Sequence, residues 1–589
     1  MTFKMGGEAG QGVESSGAGF TKALMRAGLH VYGLQDYMSR IRGGHNFFQI
    51  RVSENDIQST ESAVHVLLPL DTVTVQEHAH EVVPGGAVIM DAPLKVDDNP
   101  LKDRGLKPIR MPLTEIAQRE GTDRGLSVTA SKIMMNTAAL GVAAGITELP
   151  FEYIETIILE NFGSRKSSAV AQANVAVARA AYEEGAREFG PDFGYKLRPL
   201  DIAPRMLING NQALAYGAAA AGCRWISMYP MTPATTITEW LAAHAQKLGL
   251  VAKQCEDEIT AILMAIGAAH TGVRAMTATS GGGLSLMVEA IGLAAMTETP
   301  LVIALAQRGG PSTGLPTRTE QSDLQFVLHA SHGEFPRVVL TPGTIEECFK
   351  AGYRAFNFAE KYQTPVFILT DMNQTTAMRA IDPERFDIGA IEIDRGELLT
   401  DEQLDSLTEP YLRHQVTDSG ISPRAVPGHP KAIVLTTSDE HYENGQAVEE
   451  PEPRIQQMDK RMRKADLAAE DIREPLLEGP EQADITLVGW GSTFGPIHEA
   501  RLRLEADGVS VNHLHYHEVW PFPSRRTEEV LGRARRVIDI ENNFTGQLAR
   551  LIRTETGINI EEKILKYDGR PFADDEIASK VKERVMARV

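Results

Sequence analysis

Four stretches of the chain carry residue types and spacings that could do chemistry. The densest is Gln254-Cys-Glu-Asp-Glu258, which runs into Ile-Thr-Ala-Ile-Leu-Met-Ala-Ile-Gly267. The apolar run predicts a helix buried almost all round, with Glu258 near its start. A carboxylate there sits between two opposing effects, desolvation by the apolar surroundings and stabilisation by the helix N-terminus. A proton-handling acid and a plain helix-start acid both fit those residues. Tyr229-Pro-Met-Thr-Pro233 has two prolines that stiffen a strand–helix turn and present Thr232 toward a cleft. Thr277-Ala-Thr-Ser-Gly-Gly-Gly283 is a hydroxyl-rich glycine turn opening a helix, suited to an anion or a closely packed ligand. The fourth stretch, Gln307-Arg-Gly-Gly-Pro-Ser-Thr-Gly-Leu-Pro-Thr-Arg-Thr-Glu-Gln-Ser-Asp323, follows the apolar run Leu301–Leu305. Arg308 therefore stands at a strand's carboxyl end, where open α/β sheets bind ligands, and its guanidinium can grip a carboxylate at two points. Each turn alone also fits an ordinary strand–helix connector.

These stretches need elements to hold them. Ala63–Leu68, Ala87–Asp91, Leu301–Leu305, Pro365–Thr370, Asp484–Gly491 and Arg535–Ile540 read as buried strands, and Ala169–Arg187 as an alanine-rich helix. A turn is expected at Pro84-Gly-Gly86. A charged, proline-bearing connector covers Lys196–Arg205. The chain of 589 residues is too long for one core. It divides into α/β segments at 1–195, 196–395 and 481–589, with a proline- and charge-rich extended arm at 396–480.

Composition excludes several classes. The net charge of −20 argues against a grip on nucleic acid or an anionic membrane. Cys223, Cys255 and Cys348 are too scattered to hold an iron–sulfur cluster or to staple a secreted fold. The first residues show no signal-peptide pattern, and carboxylates and a proline interrupt the apolar stretch Leu284–Ala306. A cytoplasmic enzyme is the expectation. His513-Leu-His-Tyr-His517 places three imidazoles on one strand face, without a second cluster to complete a metal site. No metal ligand is assigned. His78-Ala-His80 reads as a polar helix edge.

Taken in order, Tyr229–Pro233, Glu258 and Arg308–Gly314 resemble the pyrimidine-binding domain of the 2-oxoacid:ferredoxin oxidoreductases. Thiamine enzymes place a glycine nine residues after the cofactor glutamate, and Gly267 singles out Glu258 over Glu256. Gly7-Glu-Ala-Gly-Gln-Gly12 and Ser39-Arg-Ile-Arg-Gly-Gly44 are similar to the family's γ-type domain, with Ala9 replacing a glycine. Ser422-Pro-Arg and Met458-Asp-Lys-Arg-Met462 are similar to its arm, and Glu541–Leu548 to its transketolase-C-terminal-like domain. The resemblance implies thiamine diphosphate bound by Tyr229, Pro230, Glu258, Thr279 and Ser280. It implies a 2-oxoacid held by Thr232 and Arg308, with Arg318 available for a second carboxylate. Glu258, Thr232 and Arg308 would be the catalytic set.

No Gly-Asp-Gly metal–diphosphate motif is present. The resemblance therefore puts Mg²⁺ and a [4Fe-4S] cluster on a β subunit, in an α2β2 assembly with coenzyme A as co-substrate and ferredoxin as electron acceptor. The fused γ-type domain resembles the 2-oxoglutarate type. Pyruvate, branched-chain 2-oxoacids and indolepyruvate are the alternatives, and a non-catalytic electron-transfer scaffold is the rival from another class.

Overall fold

The computed structural model describes residues 1–39, 43–163 and 168–586. Arg40, Ile41 and Arg42 of the Ser39–Gly44 motif lie outside the described residues. The first segment contributes β1 (Thr2–Glu8), β2 (His30–Asp36), β3 (His45–Ser53), β4 (Val64–Pro69), β5 (Val82–Asp91) and β6 (Lys107–Met111). Strands β1, β4, β5 and β6 run parallel, while β3 and β2 continue the sheet antiparallel. Pro84-Gly-Gly86 does not turn the chain. It lies inside β5, where the register with β4 shifts and Gly85 takes φ 80°. The Ala-rich helix spans Ser168–Glu188 and packs on the Met135–Ile146 helix, where Gly141 and Gly145 allow backbone contact.

The second segment supplies β7 (Met206–Asn209), β8 (Trp225–Met228), β9 (Val251–Gln254), β10 (Ala275–Thr279), β11 (Leu301–Gln307), β12 (Val338–Leu340), β13 (Pro365–Asp371) and β14 (Met378–Ile381). The third supplies β15 (Leu476–Glu478), β16 (Ile485–Trp490), β17 (Val511–Tyr516), β18 (Glu518–Trp520), β19 (Val537–Glu541) and β20 (Glu562–Leu565). Among the described residues these strands form three sheets, ordered β6-β5-β4-β1-β3-β2-β14-β7, β18-β12-β13-β11-β10-β8-β9 and β15-β17-β16-β19-β20. Two of them cross segment boundaries. Strands β14 and β7 extend the first segment's sheet, and β18 of the terminal segment pairs with β12.

The arm is not wholly extended, because Pro451–Asp471 forms a 21-residue helix. Two buried carboxylates anchor it. Glu298, at the end of the Gly281–Met296 helix, accepts from Lys460 Nζ at 2.6 Å, His414 Nδ1 at 3.2 Å, and Lys464. Glu360 receives Arg274 Nε and Arg395 Nε at 2.7 Å and Arg424 Nη2 at 2.8 Å. The arm motifs thus place Arg424 and Lys460 in two buried ion clusters. Removing one partner of such a cluster strands the opposite charge without water. Glu298→Gln should therefore cost about 3–5 kcal/mol, read as a lower denaturant midpoint and faster proteolysis of the arm. An unchanged midpoint would contradict this anchoring.

Candidate active site

Strands β9, β8, β10 and β11 lie side by side and run parallel. Their carboxyl ends release the Cys255–Glu258 turn, the Tyr229–Pro233 turn, the Thr279–Gly283 turn and the Arg308 loop onto one edge, the usual ligand edge of such sheets.

Glu258 is the first residue of the Glu258–His270 helix, capped by Asp257, whose side chain accepts from Thr260 N at 2.7 Å. Glu256 is exposed, whereas Glu258 is only 4% exposed and its Oε1 has no hydrogen-bond partner among the described residues. Glycine is required beside it. A Cβ on Gly283 would fall 2.0 Å from Thr279 Oγ1 and 2.8 Å from Glu258 Cγ. Thr277 Oγ1 and Ser280 Oγ are likewise buried without partners, and Ser280 stands in extended conformation at the head of the Gly281–Met296 helix. Thr279 is buried, while Tyr229 and Pro230 are exposed at the rim.

Arg308 Nη1 donates to the Thr232 carbonyl at 2.8 Å, which joins the two turns. Burial lowers the Arg308 guanidinium pKa with no acid to offset it. Its charge is therefore available to an anion. Arg318 is placed differently. Its Nη2 lies 3.0 Å from Asp36 Oδ1 and its Nη1 donates to the Tyr37 carbonyl at 2.7 Å, while Arg570 Nε reaches the other Asp36 oxygen at 3.0 Å. Arg318 thus ties the loop to the first and third segments, and a second-carboxylate role would require it to leave Asp36.

The expected all-round burial of the Glu258–His270 helix does not hold in the single chain. Ile259 is 46% exposed and Leu263 and Met264 also face outward, joined by Leu286 at 52% on the next helix. A contiguous apolar outer face of this kind is characteristic of interaction surfaces.

Asp323 closes the Arg308 stretch, where the sequence assigns it no role of its own. Its N–H donates to Gln307 Oε1 at 2.9 Å, and its Oδ2 would lie 2.6 Å from a Cβ on Gly281. The only sequence signal was its position at the end of the Arg308 loop. Burial, with the nearby charge of Glu320, pushes its carboxyl up to about 6. Among the described residues, one group of His, Cys, Asp and Glu is close enough to hold a metal ion, Glu298–His414–His441, and there lysines already occupy Glu298. His513, His515 and His517 are buried, with Glu478 beside His513 and Glu347 beside His517. His78 is buried against His45 and Glu81 rather than lying on a polar edge.

Three family models cover most of the chain. Residues 2–184 match pyruvate ferredoxin/flavodoxin oxidoreductase, 216–460 the thiamine-diphosphate-binding domain of pyruvate flavodoxin/ferredoxin oxidoreductase, and 483–577 core domain II of pyruvate:ferredoxin oxidoreductase. The α subunit of 2-oxoacid:ferredoxin oxidoreductase 2 from Aeropyrum pernix is 34% identical over 99% of this chain and 97% of its own length. The 2-oxoglutarate oxidoreductase subunit KorA of Mycobacterium tuberculosis is 31% identical over 100% of this chain and 92% of its own. The solved 2-oxoglutarate:ferredoxin oxidoreductase of Magnetococcus marinus, with 2-oxoglutarate, coenzyme A and succinyl-CoA bound, superposes with a TM-score of 0.90 at 30% identity over 99% of both chains.

The Asp323 environment makes a pH-dependent prediction. Because its folded pKa is raised, stability is favoured by the protonated form and is lost as pH rises from the unfolded carboxylate value through about 6. Asp323→Asn removes that loss. The melting temperature of the variant relative to wild type should rise between pH 4.5 and pH 8 (roughly the titration span of a raised carboxyl), and a pH-independent difference would contradict the placement. With four turns converging on one ligand edge and relatives matching from end to end, the chain belongs to the 2-oxoacid:ferredoxin oxidoreductase family, as a large α-type subunit with a fused γ-type domain.

Proposed function

We propose that this chain is the α subunit of a cytoplasmic, coenzyme A-dependent 2-oxoglutarate:ferredoxin oxidoreductase, forming succinyl-CoA and CO₂ and passing electrons to ferredoxin. The observation that carries the reading is the buried, unpartnered Oε1 of Glu258 beside the Gly281–Gly283 turn. That oxygen fits a pyrimidine ring nitrogen of thiamine diphosphate, with Thr279, Ser280, Tyr229 and Pro230 forming the surrounding cradle. Bound there, thiamine diphosphate supplies the electron sink that lets a 2-oxoacid lose CO₂.

The chain's own residues do the rest. Glu258 holds a proton at the pyrimidine nitrogen and so sets the ring's tautomer. Arg308, fixed by the Thr232 carbonyl, pairs with the departing carboxylate through a planar grip, and the Thr232 hydroxyl orients the keto oxygen. Ile259, Leu263, Met264 and Leu286 form the seat for a β subunit carrying Mg²⁺, the diphosphate site and a [4Fe-4S] cluster, in an α2β2 assembly. Relatives named for 2-oxoglutarate support that substrate over pyruvate and other 2-oxoacids.

The test is 2-oxoglutarate-dependent reduction of a viologen dye by the copurified assembly. Glu258→Gln keeps the shape but loses the strong acceptor, so turnover should fall by about 10²–10⁴. Glu256→Gln, altering an exposed acid, should leave turnover near normal. Near-normal turnover in Glu258→Gln would overturn the assignment.

A further inference from the structure

The first segment holds a line of titratable side chains that the reaction described above does not use. Lys4, on β1, pairs with Glu81. The second Glu81 oxygen lies 2.8 Å from His78 Nδ1, and His78 Nε2 lies 2.8 Å from His45 Nε2. His45 Nδ1 ends the line, buried and without a hydrogen-bond partner among the described residues.

In the neutral line, the donor and acceptor roles follow from the acid end. Although burial opposes it, the hydrogen bond from His78 and the Lys4 charge hold the Glu81 carboxyl below its usual range. An ionised Glu81 only accepts, so with both imidazoles neutral the His78 proton sits on Nδ1 and Nε2 is bare. His45 must then donate from Nε2, which leaves Nδ1 as a free lone pair. Burial, with His78 adding to it, lowers the His45 imidazole pKa, while Asp71, Glu77 and Asp36 pull the other way. The ring is therefore a neutral acceptor aligned by a His–Glu pair. A buried acceptor with nothing to accept from calls for a partner that arrives with a ligand.

Its position says which ligand. His45 opens β3 opposite Glu8, the last residue of β1, at the carboxyl edge of the parallel β1–β4–β5–β6 strands. The Gly7–Gly12 turn leaves from the same edge, with Gly10 at φ 92° and Gly12 at φ 78°. Asp36 ends β2 there and holds Arg318, so this edge abuts the loop that carries Arg308. Two ligand edges of two sheets thus meet at one junction. One serves the 2-oxoacid, which leaves the other to the co-substrate.

We propose that His45 is the proton acceptor for the thiol of the acyl-accepting co-substrate, with His78 and Glu81 as positioning residues. This rests on the coenzyme A-dependent reading of the site. In the step, the S–H bond breaks, the proton moves to His45 Nδ1 and the electron pair stays on sulfur as the thiolate. The imidazolium is stabilised through His78 by Glu81 and gives up its proton to water that enters as the acyl product leaves. No electrons change hands in this step.

The experiment uses the copurified assembly and measures two rates, the 2-oxoglutarate-dependent burst of viologen reduction without coenzyme A and steady turnover with it. His45→Gln can still reach His78 but offers no basic nitrogen. The ratio of turnover with coenzyme A to the burst should fall by about 10²–10⁴, and the acid limb of kcat/KM for coenzyme A should disappear. Glu81→Gln should shift that limb without abolishing it. An unchanged ratio with the limb retained in His45→Gln overturns the proposal, as does a parallel fall of both rates, which would mark a structural role. A wild-type assembly without any 2-oxoglutarate-dependent burst would instead sink the functional reading beneath it.

Discussion

The candidate site depends on one constraint, the parallel pairing of β9, β8, β10 and β11. Strands that run the same way must release their turns on the same edge, however far apart those turns are in sequence. Glu258, Thr232, Thr279, Ser280 and Arg308 come together for that reason alone. The pairing also explains the glycines. Gly283 must lack a side chain because the Thr279 turn and the Glu258 helix start meet on the same sheet edge. Polar atoms left unpartnered there are costly in a folded interior, about 1–3 kcal/mol each. Glu258 Oε1, Thr277 Oγ1 and Ser280 Oγ keep that cost in the single chain.

The edge is held in place by bonds that cross segment boundaries. Strands β14 and β7 complete the sheet of the first segment, and β18 completes that of the second. Asp36 clamps Arg318 and Arg570, so all three α/β segments meet at one carboxylate. Glu298 and Glu360 fasten the arm through Lys460, Lys464 and Arg424. Buried ion clusters of this kind add little net stability, but losing one member is expensive.

Much of this was legible in the sequence. Strands at Leu301, Pro365 and Asp484 announce themselves as short apolar runs between turn residues, and local periodicity is enough to find them. The site turns were legible for the same reason, since prolines, glycines and hydroxyls act on the local backbone. What stayed hidden depends on partners distant in sequence. Arg318 looked free because nothing near it reveals Asp36. His78 looked like a surface residue because His45 and Glu81 reach it through the fold. Pro84-Gly-Gly86 read as a turn, yet neighbouring strands hold it straight. The Glu258 helix misled in the opposite way. Its apolar composition signals burial, yet Ile259, Leu263 and Met264 stand open in the single chain.

The central claim is that this chain carries one half of a thiamine site and needs a partner for the other. Titration of thiamine diphosphate and Mg²⁺ into the purified chain, and into the chain assembled with its β subunit, tests it most directly by calorimetry. Saturable one-to-one binding by the assembly, with no measurable heat from the chain alone, is the predicted result. Tight binding by the isolated chain would contradict the account.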